Sequence, residues 1–432
     1  MRKQITQPGA SKLRYEIRNI TAVAKKIENT GVPIVWENIG DPISKGEHIP
    51  QWIREKVSNV SNQNSVYAYS PTKGLDETRE YIARERNLEG SAQITADDIL
   101  FFNGLGDAIT KIYTNLHQNA RVIGPNPAYP THASAEAAHA DSPYLSYHLN
   151  PHNAWEPDLA ELEQKITDNK DIVAILIINP DNPTGFVYPR DTVLRIVALA
   201  KKYDLFIISD EIYSNLAYPK SGFHKLASVI GSVPAIAMRG ISKEFPWPGA
   251  RCGWIEFYNR AHDEIFFHYT EALCNSKTLE VCSTTLPQKV LPEVMNDARY
   301  YPHLTHRMQL YAQRSARAVE AFDALAECIV HHAHGAFYLS IVFNDGILNN
   351  NQSLPLGTEA QNIILPHLEN APLDQRFTYY LLAKTGICVV PLSVGFNSDY
   401  DGFRMTLLEP DEERFDKTIS VLLSAIREYI AS

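Results

Sequence analysis

Apolar residues recur at helical spacing over residues 11–30, where Leu13, Ile17, Ile20, Ala24 and Ile27 are separated by lysines and glutamates. This spacing predicts a first helix, ended by Gly31-Val32-Pro33. A short strand at 34–36 and the turn-rich Asn38-Ile39-Gly40-Asp41-Pro42 follow, then a helix over 50–60 with Pro50 in its first turn. From residue 76 the pattern alternates. Helical runs are expected at 76–84, 108–116 and 190–202. Short apolar strands are expected at 99–102, 121–124, 173–178, 205–209, 235–238 and 252–257. The run Val173-Ala-Ile-Leu-Ile-Ile178 is apolar on both faces, as a buried parallel strand requires. Strands alternating with helices predict an α/β fold with a mostly parallel sheet covered on both sides.

Near residue 295 the pattern changes. A long helical region to about 327 precedes strand-like runs at 336–343, 387–391 and 403–408, and a last helix at 411–430. This predicts a smaller α+β domain. The expected division is an N-terminal segment 1–55 that joins the small domain, a large domain 56–310 and a C-terminal small domain 311–432. Residues 344–376 are polar and rich in Asn and Pro, which predicts a long surface insertion.

Composition narrows the function. The formal net charge of −10 argues against a nucleic-acid groove or an anionic membrane as main partner. No window is apolar for the roughly 18 residues of a spanning helix. Five irregularly spaced cysteines with no Cys-x-x-Cys fit a reducing cytoplasm better than a disulfide framework or a zinc site. His331, His332 and His334 have no carboxylate or cysteine at ligand spacing and read as a solvated turn. Trp247 and Trp254 read as packing residues.

Candidate chemistry falls on the carboxyl ends of the predicted strands, where ligands of open parallel sheets bind. Gly104-Leu105-Gly106 opens a helix, so its N–H groups can face an anion. Tyr129, in Asn126-Pro-Ala-Tyr-Pro-Thr, can stack on a flat heteroaromatic ring. Taken singly, each of these also suits an ordinary turn. Asn182, in Asn179-Pro-Asp-Asn-Pro-Thr-Gly185, offers an amide to a phenolate oxygen. Asp210 ends an apolar strand and can pair with a protonated ring nitrogen, Glu211 supports the loop, and Tyr213 can reach a 3′ oxygen. Lys243 and Arg251 lie in Gly240-Ile-Ser-Lys-Glu-Phe-Pro-Trp-Pro-Gly-Ala-Arg-Cys-Gly-Trp254. An amine nucleophile beside a bidentate anion clamp is what pyridoxal phosphate chemistry needs.

Together Tyr69-Ser-Pro-Thr-Lys-Gly, the Asn-Pro-Asp-Asn-Pro-Thr-Gly turn, Asp210-x-x-Tyr213, and Ser242-Lys243 with Arg251 resemble the class I/II aminotransferases. The resemblance covers nearly the whole chain and implies fold type I: a three-layer large domain plus a smaller α+β domain. It implies pyridoxal phosphate as cofactor, Lys243 as the Schiff-base lysine and Asp210 as partner of the pyridine nitrogen. Asn182 and Tyr213 would serve the 3′ oxygen, Tyr129 the ring face, and Arg251 with Leu105, Gly106 and Ser242 the phosphate. Tyr69 is similar to the tyrosine that reaches the neighbouring subunit's phosphate, which implies a homodimer. Gly40 resembles the glycine over the substrate, and Arg404 the arginine that takes the substrate α-carboxylate.

The resemblance implies amino transfer from an L-amino acid (alanine, aspartate or aromatic) to a 2-oxo acid such as 2-oxoglutarate. The segment Leu13-x-Tyr15-x-Ile17-Arg18, followed by Asn-Ile-Gly-Asp-Pro, resembles the alanine-aminotransferase branch. A C–S lyase, decarboxylase or cyclase would share the same residues. A non-catalytic sensor would usually carry an added DNA-binding domain, for which this chain has no room. Two departures stand out: Gly240 replaces the hydroxyl residue common three positions before the lysine, and Pro391-Leu-Ser-Val-Gly-Phe396 replaces Pro-Gly-Ser-x-Phe-Gly.

Overall fold

The computed structural model describes residues 5–13, 16–90 and 92–432. Its larger sheet has eight strands, in spatial order Ile99–Phe102, Gly253–Tyr258, Ala235–Gly240, Phe206–Asp210, Ile172–Ile178, Arg121–Asn126, Ser146–Asn150 and Glu156–Pro157. The five strands from Ala235–Gly240 to Ser146–Asn150 are joined by parallel pairings. The sheet is buried on both faces because alternate residues enter opposite cores. Ile175 and Ile177 pack into one apolar cluster and Ala174, Leu176 and Ile178 into the other. Helices cover both sides, so the fold is the three-layer α/β architecture expected.

Gly253–Tyr258 departs from the parallel pattern, pairing antiparallel with both Ala235–Gly240 and Ile99–Phe102. The reason is its connection. A parallel return needs a crossover, usually a full helix, whereas residues 241–252 hold only the short helical turn Pro248–Ala250. The chain therefore reverses here, and that reversal carries Lys243 and Arg251.

A second, antiparallel sheet runs Cys328–Val330, Tyr338–Phe343, Gly402–Thr406, Val390–Pro391. The early strand Val35–Trp36 pairs with Ile387–Cys388, which brings the start of the chain to its last third. The first helix, Glu16–Glu28, buries Ile20, Val23, Ala24 and Ile27 against Ile364, Leu368 and Leu382. Tyr15 lies outside the described residues, and Leu13 is exposed.

The stretch 344–376 is not a loose surface insertion. It contains the helix Thr358–Ile364 and buries Leu348, Leu354, Ile364 and Leu368. The apolar stripe of the first helix needs cover, and this segment supplies it. The helices Glu264–Thr278 and Thr285–Met295 are not among those expected from the sequence; the first is only weakly amphipathic, and Pro292 lies inside the second. Pro50 caps the helix Gln51–Ser61 rather than entering its first turn.

Candidate active site

The strands Ile172–Ile178, Phe206–Asp210 and Ala235–Gly240 end in register, with Ile178 beside Asp210 and Asp210 beside Met238. Asp210 therefore stands at the centre of the sheet's carboxyl edge, almost fully buried. A carboxylate there is costly without partners. One oxygen accepts from the Ile212 N–H at 3.1 Å, and the other lies 3.1 Å from His132 Nε2. His132 is wholly buried on the helix Pro130–Ala140, and its second nitrogen lies 3.5 Å from the Tyr113 hydroxyl. Sequence reasoning missed this histidine. The available signal was its place three residues after Tyr129.

Gly104 takes φ 85° and starts the helix Leu105–Thr114. Arg251 is itself left-handed, at φ 50°. Its guanidinium donates to the carbonyls of Pro248 at 3.2 Å and Asn103 at 3.3 Å. A Cβ on Gly104 would stand 2.6 Å from Arg251 Nη2. The guanidinium thus lies across a helix N-terminus, where N–H groups and dipole already favour an anion.

Lys243 follows Ser242 at the start of the reversal. Its Nζ donates to the Gly40 carbonyl at 2.6 Å and stands 6.0 Å from the Tyr213 ring centre. Burial pulls its pKa down to about 8. Arg404 and Arg307 push it the same way, and Asp41 and Asp210 oppose them.

The remaining wall comes from the smaller sheet. Arg404 lies on Gly402–Thr406, an interior strand, and is 2% exposed. Its guanidinium donates to the Asn38 carbonyl and stacks over the Tyr338 ring at 4.6 Å. Tyr338, also missed from sequence, shares a 2.8 Å hydrogen bond with the Tyr213 hydroxyl. Burial, then the neighbouring Tyr338, pushes the Tyr213 phenol well above its usual pKa. The segment 391–396 forms the short helix Leu392–Phe396, and Phe396 packs 5.3 Å from the Arg404 guanidinium.

All the predicted site residues except Tyr69 line one cavity of about 450 Å³. Tyr69 is 83% exposed and lies apart from it. Gly240 is not among the lining residues, and Arg239 does not take its place. Arg239 is buried against Glu211 and Glu256 and donates to Ser214 Oγ at 2.9 Å. Glu211 supports the loop through the Leu226 N–H at 2.7 Å. His331 bonds the Pro151 carbonyl at 2.6 Å, and the described residues hold no cluster suited to a metal ion. Trp254 packs against Phe101.

The family model for aminotransferase class I and II matches residues 34–421. The chain belongs to the class I and II aminotransferases. An uncharacterized aminotransferase of Methanocaldococcus jannaschii is 51% identical over the full length of both chains. A glutamate-pyruvate aminotransferase of Escherichia coli is 28% identical over 75% of this chain and 79% of its own. The solved alanine aminotransferase from Pyrococcus furiosus shares the fold, with a TM-score of 0.84, 22% identity, and coverage of 98% of this chain and 100% of that one.

The enzyme is therefore a pyridoxal phosphate-dependent transaminase. The cavity suits that cofactor. An arginine and a helix N-terminus offer an anion cradle, and Asp210 offers a buried carboxylate. Asn182 is buried and lines the same cavity, where its side-chain N–H groups can donate. Among the described residues no helix is long and apolar enough to cross a membrane.

Proposed function

We propose that the enzyme moves an amino group from L-alanine to 2-oxoglutarate. The observation that carries the catalytic reading is the Lys243 amine, held near neutrality in one cavity with buried Arg404 and Asp210. Pyridoxal phosphate supplies the electron sink for the carbanion at the substrate Cα. Lys243 carries the proton to and from that carbon, and a pKa of about 8 suits an acid/base near neutral pH. Asp210, steadied by His132, keeps the pyridine nitrogen protonated. Asn182 and Tyr213 hydrogen-bond the 3′ oxygen, and Tyr129 stacks on the ring. Arg251, the N–H groups of Leu105 and Gly106, and Ser242 hold the phosphate. Arg404 takes the α-carboxylate through its fork, and Gly40 lies over the substrate.

The substrate choice draws on similarity and on one further residue. The Escherichia coli relative is named a glutamate-pyruvate aminotransferase, and a relative from Mycobacterium tuberculosis, 31% identical over 61% of this chain and 61% of its own, is named an alanine aminotransferase. Arg18, on the first helix, lines the same cavity. It supplies a second cation for an acceptor with two carboxylates. Tyr69, exposed in its own chain, suits a contact across a homodimer. Domain boundaries near residues 55 and 310 and a cytoplasmic location, which five free cysteines suit, belong to the same reading.

The test is a spectrum of the purified enzyme with a panel of amino acids. The visible band of the bound cofactor should bleach with L-alanine as about one equivalent of pyruvate per site is released, and further pyruvate should form only when 2-oxoglutarate is present. Repeated turnover without any acceptor would favour a lyase or decarboxylase instead. Lys243→Ala should lower turnover by about 10⁴-fold, the upper range for loss of a positioned acid/base. Unchanged turnover would overturn the assignment.

A further inference from the structure

We propose that Arg307 is a positioning residue. It clamps the loop 38–47 over the active site and at the same time fixes the main chain of Lys243 beneath it. Arg307 lies on the long helix Tyr300–Phe322 and is fully buried. One arm of its guanidinium donates to the Lys243 carbonyl at 2.5 Å and the Glu244 carbonyl at 3.3 Å. The other side meets Glu47: Nε lies 2.6 Å from Oε1, and Nη2 donates to Oε2 at 3.0 Å. Tyr311, one turn along the helix, completes the set. Its hydroxyl accepts from Arg307 Nη2 at 3.0 Å and donates to Glu47 Oε2 at 3.1 Å.

The loop behaves as one unit between its ends. Lys45 N–H donates to the Asp41 carbonyl at 3.1 Å and Glu47 N–H to the Pro42 carbonyl at 2.9 Å. The Lys45 ammonium pairs with buried Glu37 at 2.9 Å. A hold on Glu47 is therefore felt at Gly40, whose carbonyl accepts from Lys243 Nζ. Arg404 holds the loop's other end through the Asn38 carbonyl. Arg307 thus joins the main chain of the catalytic lysine and the loop over it through a single planar group, a geometry that a lysine cannot reproduce.

The inference rests on Lys243 being the catalytic amine. The variants are Glu47→Gln, Arg307→Lys and Arg307→Gln in the cofactor-loaded enzyme. Glu47→Gln keeps the shape and removes the charge. It should raise KM for the amino donor about tenfold, the scale of one charge-assisted contact, with a smaller change in kcat. In the same variant, loop amides 43–47 should exchange with solvent about tenfold faster, as local opening becomes easier.

Arg307→Lys should fall between wild type and Arg307→Gln. The charged groups acting on Lys243 are Asp41 from the loop, Asp210 and Arg404 from the two sheets, and Arg307 from the helix. Removing Arg307 takes away a cation. The pH at which the cofactor's visible band titrates should therefore rise in Arg307→Gln and stay in place in Glu47→Gln. Unchanged KM and loop exchange in Glu47→Gln would overturn the clamp. So would an unshifted titration in Arg307→Gln. Should Arg307→Gln fail to fold, Glu47→Gln still decides, because Glu47 is only partly buried. An active Lys243→Ala would instead sink the catalytic reading, while the exchange data still test the clamp.

Discussion

The two walls of the cavity are built in different ways. The wall from the large sheet is made of strand ends and the turns that follow them. Asp210 closes one apolar strand, Asn182 follows another, and Lys243 and Arg251 sit on the reversal after a third. The opposite wall is assembled across long stretches of sequence. Arg404 reaches Asn38 from 366 residues away, Arg307 reaches Glu47 from 260, and Tyr338 reaches Tyr213 from 125. The first wall is set by one sheet, because each side chain lies at the end of a strand or in the turn that follows it. The second depends on the smaller sheet and the loop 38–47 being in place. On the proposed function, cofactor electronics fall to the wall from the large sheet and substrate capture to the assembled one.

Asp210→Asn should cut deepest into that division. It removes the buried carboxylate while leaving its size, and kcat should fall about 10³-fold with KM little changed, as expected for an interaction made mainly in the transition state. Steady-state kinetics with a saturating donor would show it. Arg404→Lys, on the other wall, should instead raise KM by about 10- to 100-fold, because a lysine loses the two-point grip on a carboxylate. If both variants lower kcat alone, the two walls do not divide the work.

A smaller effect concerns stability. Asp181 is buried beside Asn182, and its Oδ2 accepts from Thr184 N at 3.1 Å and Thr184 Oγ1 at 2.5 Å, while Oδ1 has no partner. Burial raises its pKa to about 7, with Asp210 adding to the rise against the Thr184 bonds. The folded state thus holds a proton that the unfolded chain releases near pH 4. The stability this confers is full below that pH and is lost as pH rises through about 7. Asp181→Asn should therefore stabilise the protein by about 1–2 kcal/mol at pH 8, within the cost of a poorly satisfied buried polar group, and by nothing at low pH. Urea unfolding at the two pH values measures this. The smallest change is expected for Tyr338→Phe. It deletes only the hydroxyl that meets Tyr213, so kcat/KM should fall about threefold, the scale of one neutral hydrogen bond. A larger loss would mean that the assembled wall also tunes the cofactor.

The same contrast explains what could be read from the chain. Asn182, Asp210, Tyr213, Lys243 and Arg251 were legible because each follows an apolar run and falls in a short, unusual peptide. His132 was not, since its one local cue, a place three residues after Tyr129, does not tell that a carboxylate waits 78 residues away. Tyr338, Glu47 and Arg307 were invisible for the same reason: their partners are set by tertiary packing. The stretch 344–376 misled because its polar composition hides the few apolar residues, Ile364 and Leu368 among them, that cover the first helix. Gly40 and Arg404 came through resemblance, not through any local pattern.

Gly104 and Arg251 lie 147 residues apart, yet a single added carbon at the first would collide with the guanidinium of the second. The guanidinium is the flexible end of its side chain and can move aside, so what ties position 104 to glycine is its backbone, at φ 85°. A library at position 104 should return almost only glycine, whichever residue stands at 251.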